Sequence, residues 1–175
     1  MQALRWGLVP RWAKDPKVGY KMINARAETL DERPAYRGLV RHSKHRCLIL
    51  ADGYYEWQKP EDPKQPRRPL HFSLEDGAPF FFAGLWTRWS APDGGLIPSC
   101  TIVTCEANEL ARPIHERMPV ILADSEGWEE WLDPAGAVSE LLVPLRSDRM
   151  SVVPANSIVN SARHEGPDCV AALAA

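Results

Sequence analysis

Residues 47–58 read CLILADGYYEWQ. The first five form a continuous apolar run, Asp52-Gly53 is a turn or bulge signal, and YYEWQ at 54–58 resumes an extended pattern. Side chains alternate along a strand with period two, so Tyr54, Glu56 and Gln58 share one face and Tyr55 and Trp57 the other. The remainder of the chain repeats this strand-and-turn grammar. LHFSL (70–74), PFFFAGLW (79–86), SCTIVT (99–104), PVIL (119–122) and MSVV (150–153) are rich in β-formers and mostly separated by Pro, Gly or Asp. QKPEDPKQPRRP at 58–69 carries four prolines and reads as an exposed loop. Helix signals are fewer. Ser125 is placed to cap a turn in which Trp128, Trp131 and Leu132 fall at i, i+3 and i+4, and AVSELLVP at 137–144 ends at its proline. Sixteen prolines spread through the chain argue against a helical bundle. The expected class is α+β, dominated by β: barrel-like, bent antiparallel or mixed sheets with a few short flanking helices.

The length of 175 residues suits one domain spanning 1–175. Apolar residues make up 45%, which excludes disorder of the whole chain, and no stretch approaches the ~20 consecutive apolar residues of a membrane helix. MQALRWGLVPRW at the start lacks the parts of a signal peptide, so the expected address is cytoplasmic, beside the nucleoid if the source is bacterial. Cys47, Cys100, Cys105 and Cys169 contain no CxxC pair and read as reduced thiols. His42, His45 and Cys47 are spaced like metal ligands, but Lys44 and Arg46 add positive charge and no second ligand pair follows, so no metal is expected. The net charge of −2 hides an asymmetry: residues 1–46 carry 11 Lys/Arg against 4 Asp/Glu, and the remainder carries 10 against 19. A basic stretch interleaved with Trp6, Trp12, Tyr20 and Tyr36 is compatible with a single-strand nucleic-acid binder, but composition alone favours a solvated face offset by acidic residues elsewhere.

Three segments combine unusual polar residues with irregular backbone: INARAETL (23–30), DGYYEW (52–57) and RPIHERMP (112–119). Asn24 and Arg26 project to one face in extended geometry, where an amide can orient a sugar and a guanidinium can hold a phosphate; alternatively Arg26 forms a structural ion pair with Glu28. Glu56, between Tyr55 and Trp57, is either a desolvated carboxyl suited to proton transfer or an edge-strand glutamate in water. His115, bracketed by Pro113 and Pro119, either converges with Arg117 on an anion or is a structural histidine. GxSxG, Walker, GxGxxG and HExxH patterns are absent, which removes the usual signatures of serine hydrolysis, nucleotide hydrolysis, dinucleotide binding and zinc proteolysis. A thiol protease built from Cys47 or Cys105 with His115 is disfavoured, because both thiols lie in or at the end of apolar strands, where they stay protonated.

Taken together, WGLVPRW (6–12), INARAET (23–29), RCLILADGYYEW (46–57), FAGLW (82–86) and HERMPVIL (115–122) resemble, in order and spacing, the SRAP family, the SOS response-associated peptidase proteins. The similarity runs from about Trp6 to Asn160. The resemblance implies binding of single-stranded DNA at abasic sites and a covalent protein–DNA link that shields the lesion in the DNA damage response. In the family an N-terminal cysteine, exposed by removal of the initiator methionine, attacks the ring-opened sugar and closes a thiazolidine, a lyase-like reaction needing neither metal nor cofactor. By the same resemblance Asn24 positions the sugar, Glu56 shuttles protons during imine formation, and His115 helps open the ring and reverse the link. Arg26 and Arg117 correspond to phosphate-binding arginines, and Trp12 to an aromatic on which a base stacks.

The chain departs from the pattern at its start. Family members begin Met-Cys-Gly-Arg some tens of residues before the WGLxPxW segment, whereas this chain begins Met1-Gln2-Ala3. None of the four cysteines substitutes, since thiazolidine closure needs a free α-amine beside the thiol. The expectation is that the chain is N-terminally truncated relative to the family, starting at an internal methionine rather than being a shortened gene product, that it does not crosslink DNA itself, and that it is less stable than a full-length relative. Whether it is an enzyme in its own right is left open. The alternatives are a non-catalytic single-stranded DNA-binding module and, from the family's name, a thiol autopeptidase or peptidase. A monomer is expected.

Overall fold

The computed structural model describes residues 1–136 and 138–170. Ten strands appear there: β1 (Arg5–Trp6), β2 (Asn24–Arg26), β3 (Arg46–Ala51), β4 (Tyr54–Gln58), β5 (Arg68–Leu74), β6 (Phe80–Ser90), β7 (Leu96–Glu106), β8 (Arg117–Pro119), β9 (Ile121–Leu122) and β10 (Met150–Pro154). Two α-helices, α1 (Arg37–Val40) and α2 (Ser125–Leu132), and several 3₁₀ turns complete the described elements. The expected β-dominated α+β class holds. No helix is long and apolar enough to cross a membrane among the described residues.

The strands form two sheets rather than a closed barrel. The larger runs β1-β7-β6-β3, with β2 and β8 also on β7 and β9 on β6; the smaller is β10-β5-β4. Its frame is the long hairpin of β6 and β7, where Gly94 turns at φ +86°, a conformation suited to glycine, and the Asp93 carboxylate accepts the Gly95 N–H at 3.0 Å. From the turn, β6 and β7 pair from Ser90↔Leu96 back to Gly84↔Ile102 and then part. Into this fork the chain inserts the segment expected as one strand, PVIL. It is divided: β8 pairs with β7 through Thr104↔Pro119, and β9 pairs with β6 through Phe82↔Ile121. Between them Val120 donates to Val103 O at 2.9 Å and accepts from Ala83 N at 3.0 Å, so one residue serves both strands.

One apolar cluster joins the sheets, with Phe72, Leu74 and Met150 from the smaller and Phe80, Leu85, Val103 and Val120 from the larger. Tyr54 bridges them, stacked on Phe72 with ring centroids 4.9 Å apart and edge-on to Phe82 at 6.1 Å. In α2 the cap is Asp124, whose carboxylate accepts the Gly127 N–H at 3.1 Å, and Ser125 is the first helical residue. A carboxylate also favours the positive end of the helix. Trp131 is fully buried and its indole donates to Cys47 O at 3.1 Å, whereas Leu132 is 42% exposed and leaves the expected face. The helix expected over 137–144 is a 3₁₀ turn at Val138–Leu141; Ala137 lies outside the described residues.

Candidate functional site

Trp12 is carried by the loop that follows β1. Gly7 (φ +110°) and Gly19 touch back to back: a Cβ on either would lie 2.6 Å from the other's carbonyl oxygen, so no side chain fits at this crossing. The loop is fixed by Leu8 N–H to Met22 O (3.0 Å) and by Val9 N–H to the buried Ser99 hydroxyl (2.8 Å). Trp12 itself stays 65% exposed. β2 then runs parallel to β7, Asn24↔Ile102 and Arg26↔Thr104, with Ala25 buried between the exposed Asn24 and Arg26. Period two therefore turns both polar groups outward together. A groove of about 460 Å³ is lined by Trp12, Asn24, Arg26, Arg33 and Tyr36 among others.

Arg117, at the start of β8, sits behind that groove. Its guanidinium donates to both Glu28 carboxylate oxygens, at 2.7 and 3.0 Å, and to Thr104 O at 2.6 Å. Its side chain is only 16% exposed and its Nε is buried without a partner. The expected alternative for Glu28, an ion pair with Arg26, is thus corrected: Glu28 takes its hydrogen bonds from Arg117, and Arg26 acts on it only through its charge. The physical reason is geometric, since β8 brings a fork-shaped donor in line with both carboxylate oxygens. The Arg117 hydrogen bonds hold the Glu28 carboxyl below the usual glutamate range. Arg26 and Arg117 also share a concavity of about 360 Å³ with Arg112, Glu106 and Glu116.

Glu56 lies in β4 of the smaller sheet, and His115, in the segment before β8, is close enough for its charge to act on the carboxyl. Burial raises the Glu56 carboxyl above its ordinary value, while the nearby His115 charge and the Trp57 backbone N–H oppose it. His115 is fixed by its own N–H to Ala111 O (3.0 Å) and by the Arg117 N–H donating to its Nδ1 at 3.0 Å. The same Nδ1 also lies 3.0 Å from Arg117 O, so it accepts from the N–H in one tautomer and donates to the carbonyl in the other. A carboxyl raised by burial gives and takes protons closer to neutral pH than an exposed glutamate does.

Of the six residues expected from sequence, Trp12, Asn24 and Arg26 share the groove, Arg26 and Arg117 share the adjoining concavity, and His115 acts on Glu56 through its charge. Neither concavity includes Glu56 or His115. No local pattern in the sequence distinguishes Arg33 or Arg112, and Tyr36 stands out only as one aromatic of the basic stretch; Glu28 is visible, but its partner is not. Burial pushes the Cys47 thiol up to about 12 and Cys105 up to about 11, which leaves both protonated at neutral pH.

A family profile described as SOS response associated peptidase (SRAP) matches residues 1–162. The chain is 46% identical over 171 residues to the abasic site processing protein YoqW of Bacillus subtilis, covering 95% of this chain and 74% of that protein. It is 33% identical over 195 residues to the abasic site processing protein HMCES of Xenopus tropicalis, covering 99% of this chain and 57% of that one. A crystal structure of a protein from Bacteroides thetaiotaomicron superimposes with a TM-score of 0.87 at 26% identity, over 99% of this chain and 77% of the other. The match over nearly the whole described chain makes this chain a member of the SRAP family.

Proposed function

We propose that this protein processes abasic sites in single-stranded DNA. The observation that carries the reading is the half-buried Glu56 carboxyl within reach of the His115 charge, on a family scaffold whose relatives YoqW and HMCES are named for abasic site processing. In this reading the strand lies along the groove, with a base stacked on Trp12 and phosphates near Arg26 and Arg117. Asn24, turned outward beside Arg26, orients the unstacked sugar. Glu56 moves the proton as an amine adds to the C1′ aldehyde and water leaves, and His115 assists ring opening. Arg117 is held by Glu28, so its contribution to a phosphate is a fixed positive field rather than a mobile hand. The covalent step needs an amine and a thiol on one residue, and the four cysteines of residues 1–175 are all internal, with their amines in peptide bonds. We further propose that residues 1–175 act as one domain and as a monomer.

Binding of this chain to matched single-stranded oligonucleotides with and without one abasic site tests the proposal. Tighter binding to the abasic strand is expected, with the preference lost in Glu56→Gln and Asn24→Ala while general affinity stays. Equal affinity for the two strands would overturn it. The separation of the groove from Glu56 and His115 favours a second reading, a single-strand binder without lesion chemistry. Salt-dependent binding with no abasic preference is its signature.

A further inference from the structure

Glu56 stands in the middle of β4, and β4 is an edge strand. It pairs with β5 from Tyr54↔Phe72 to Gln58↔Arg68, and no strand joins its other side among the described residues. An edge strand lacks half of its ladder, so the position of its central side chain depends on whatever else holds the backbone. The residues on either side of Glu56 supply that hold. Tyr55 and Trp57 point to the opposite face, and each donates a hydrogen bond to the C-terminal segment. The Tyr55 hydroxyl donates to Cys169 O and the Trp57 indole Nε1 to Asn160 Oδ1, both at 2.7 Å.

The segment that receives these bonds is itself anchored. After β10, Ala155 N–H donates to Pro69 O of β5 at 3.0 Å. The Asn156 side chain accepts the Ile158 N–H at 3.0 Å and caps the 3₁₀ turn Ser157–Asn160, which delivers Asn160 to the indole. Further on, His164 Nε2 lies 3.0 Å from the Asp168 carboxylate and closes the loop before Cys169. The chain thus passes behind β4 as a strap fixed to the neighbouring strand at one end and to the Glu56-bearing strand at two points.

We propose that Trp57 and Asn160 are positioning residues for Glu56, their hydrogen bond holding β4 so that the carboxyl keeps its half-buried place. The functional meaning of this assignment rests on the reading of Glu56 as a proton shuttle. The titratable groups around Glu56 are His115 from the segment before β8 and Tyr54 on its own strand, with Cys105 of β7 adjoining Tyr54. Burial is the largest influence on the carboxyl, so a strand released from its strap admits water and the Glu56 titration midpoint falls towards that of an ordinary glutamate.

The test is the carboxyl carbon resonance of Glu56, assigned with Glu56→Gln, titrated in the wild-type chain, Trp57→Phe, Asn160→Ala and Asn160→Asp. The first variant keeps the ring and loses the donor; the second removes the acceptor from an exposed position; the third retains an acceptor oxygen. A fall of roughly half a pH unit in Trp57→Phe and Asn160→Ala, with recovery in Asn160→Asp, is the expected result. A wild-type midpoint in Asn160→Ala, with the Trp57 indole proton showing that the bond is gone, overturns the proposal. If instead the midpoint falls as expected but Glu56→Gln leaves abasic preference intact, the strap stands and the proton-shuttle reading fails.

Discussion

Replacing Glu28 by Gln removes one charge from the clamp that holds Arg117, and its cost follows from the geometry. The pair is bidentate, at 2.7 and 3.0 Å, but Glu28 is 47% exposed while Arg117 is 16% exposed. A fully exposed pair contributes about 0.2–1 kcal/mol and loss of one partner from a buried pair costs about 3–5 kcal/mol. In Glu28→Gln the guanidinium keeps Thr104 O at 2.6 Å and one amide oxygen, and water screens the carboxylate side. The expected loss is therefore about 1 kcal/mol, or a fall in Tm of about 2–4 °C for a chain of this size. Because Arg117 holds the folded-state Glu28 carboxyl below its unfolded value, the stabilisation is complete above the unfolded pKa and is lost as pH falls through the folded one. Urea unfolding of both proteins should show a constant gap from about pH 8 to about pH 6 that shrinks below about pH 4.5. Equal midpoints near neutrality, or a gap undiminished in acid, would refute the assignment of Glu28 as the partner that fixes Arg117.

Trp12→Ala should weaken single-strand binding by about 1–3 kcal/mol with little change in salt dependence, whereas Arg26→Ala should reduce the salt slope by about 0.7; a binding titration at several salt concentrations separates the two. Cys47 and Cys105, pushed up to about 12 and about 11 by burial, should resist a thiol reagent in the native protein and react on unfolding; rapid native labelling of either would contradict their burial. Gly53→Ala should destabilise the fold by roughly 1–3 kcal/mol in thermal unfolding, because the added Cβ would lie 2.1 Å from His71 Nε2 and 2.7 Å from Phe72 O, and the backbone oxygen cannot move aside as a side chain can.

Much of the architecture was legible because strands carry their signal locally. CLILA, LHFSL, PFFFAGLW and SCTIVT are apolar or alternating runs ended by turn residues, and each became a strand. The outward turn of Asn24 with Arg26, and of Glu56 away from Tyr55 and Trp57, followed from period two alone. What the chain could not announce was pairing. PVIL reads as one strand, and only the fork between β6 and β7 decides that Val120 serves both. The barrel-like expectation gave way to two open sheets because closure is a property of which edges meet.

The same division runs through the site. Residue identity determined the available chemistry: an amide and a guanidinium two apart, a carboxyl among aromatics, an imidazole between prolines, and an aromatic in a basic segment. Tertiary structure decided the partners, because hydrogen bonds between residues 89 apart, such as Arg117 to Glu28, depend on the meeting of β8 with the turn after β2. It also decided that the acidity of Glu56 is governed by burial and by an imidazole 59 residues further along the chain, since solvation and Coulomb interactions depend on distance in space and have no counterpart in sequence spacing.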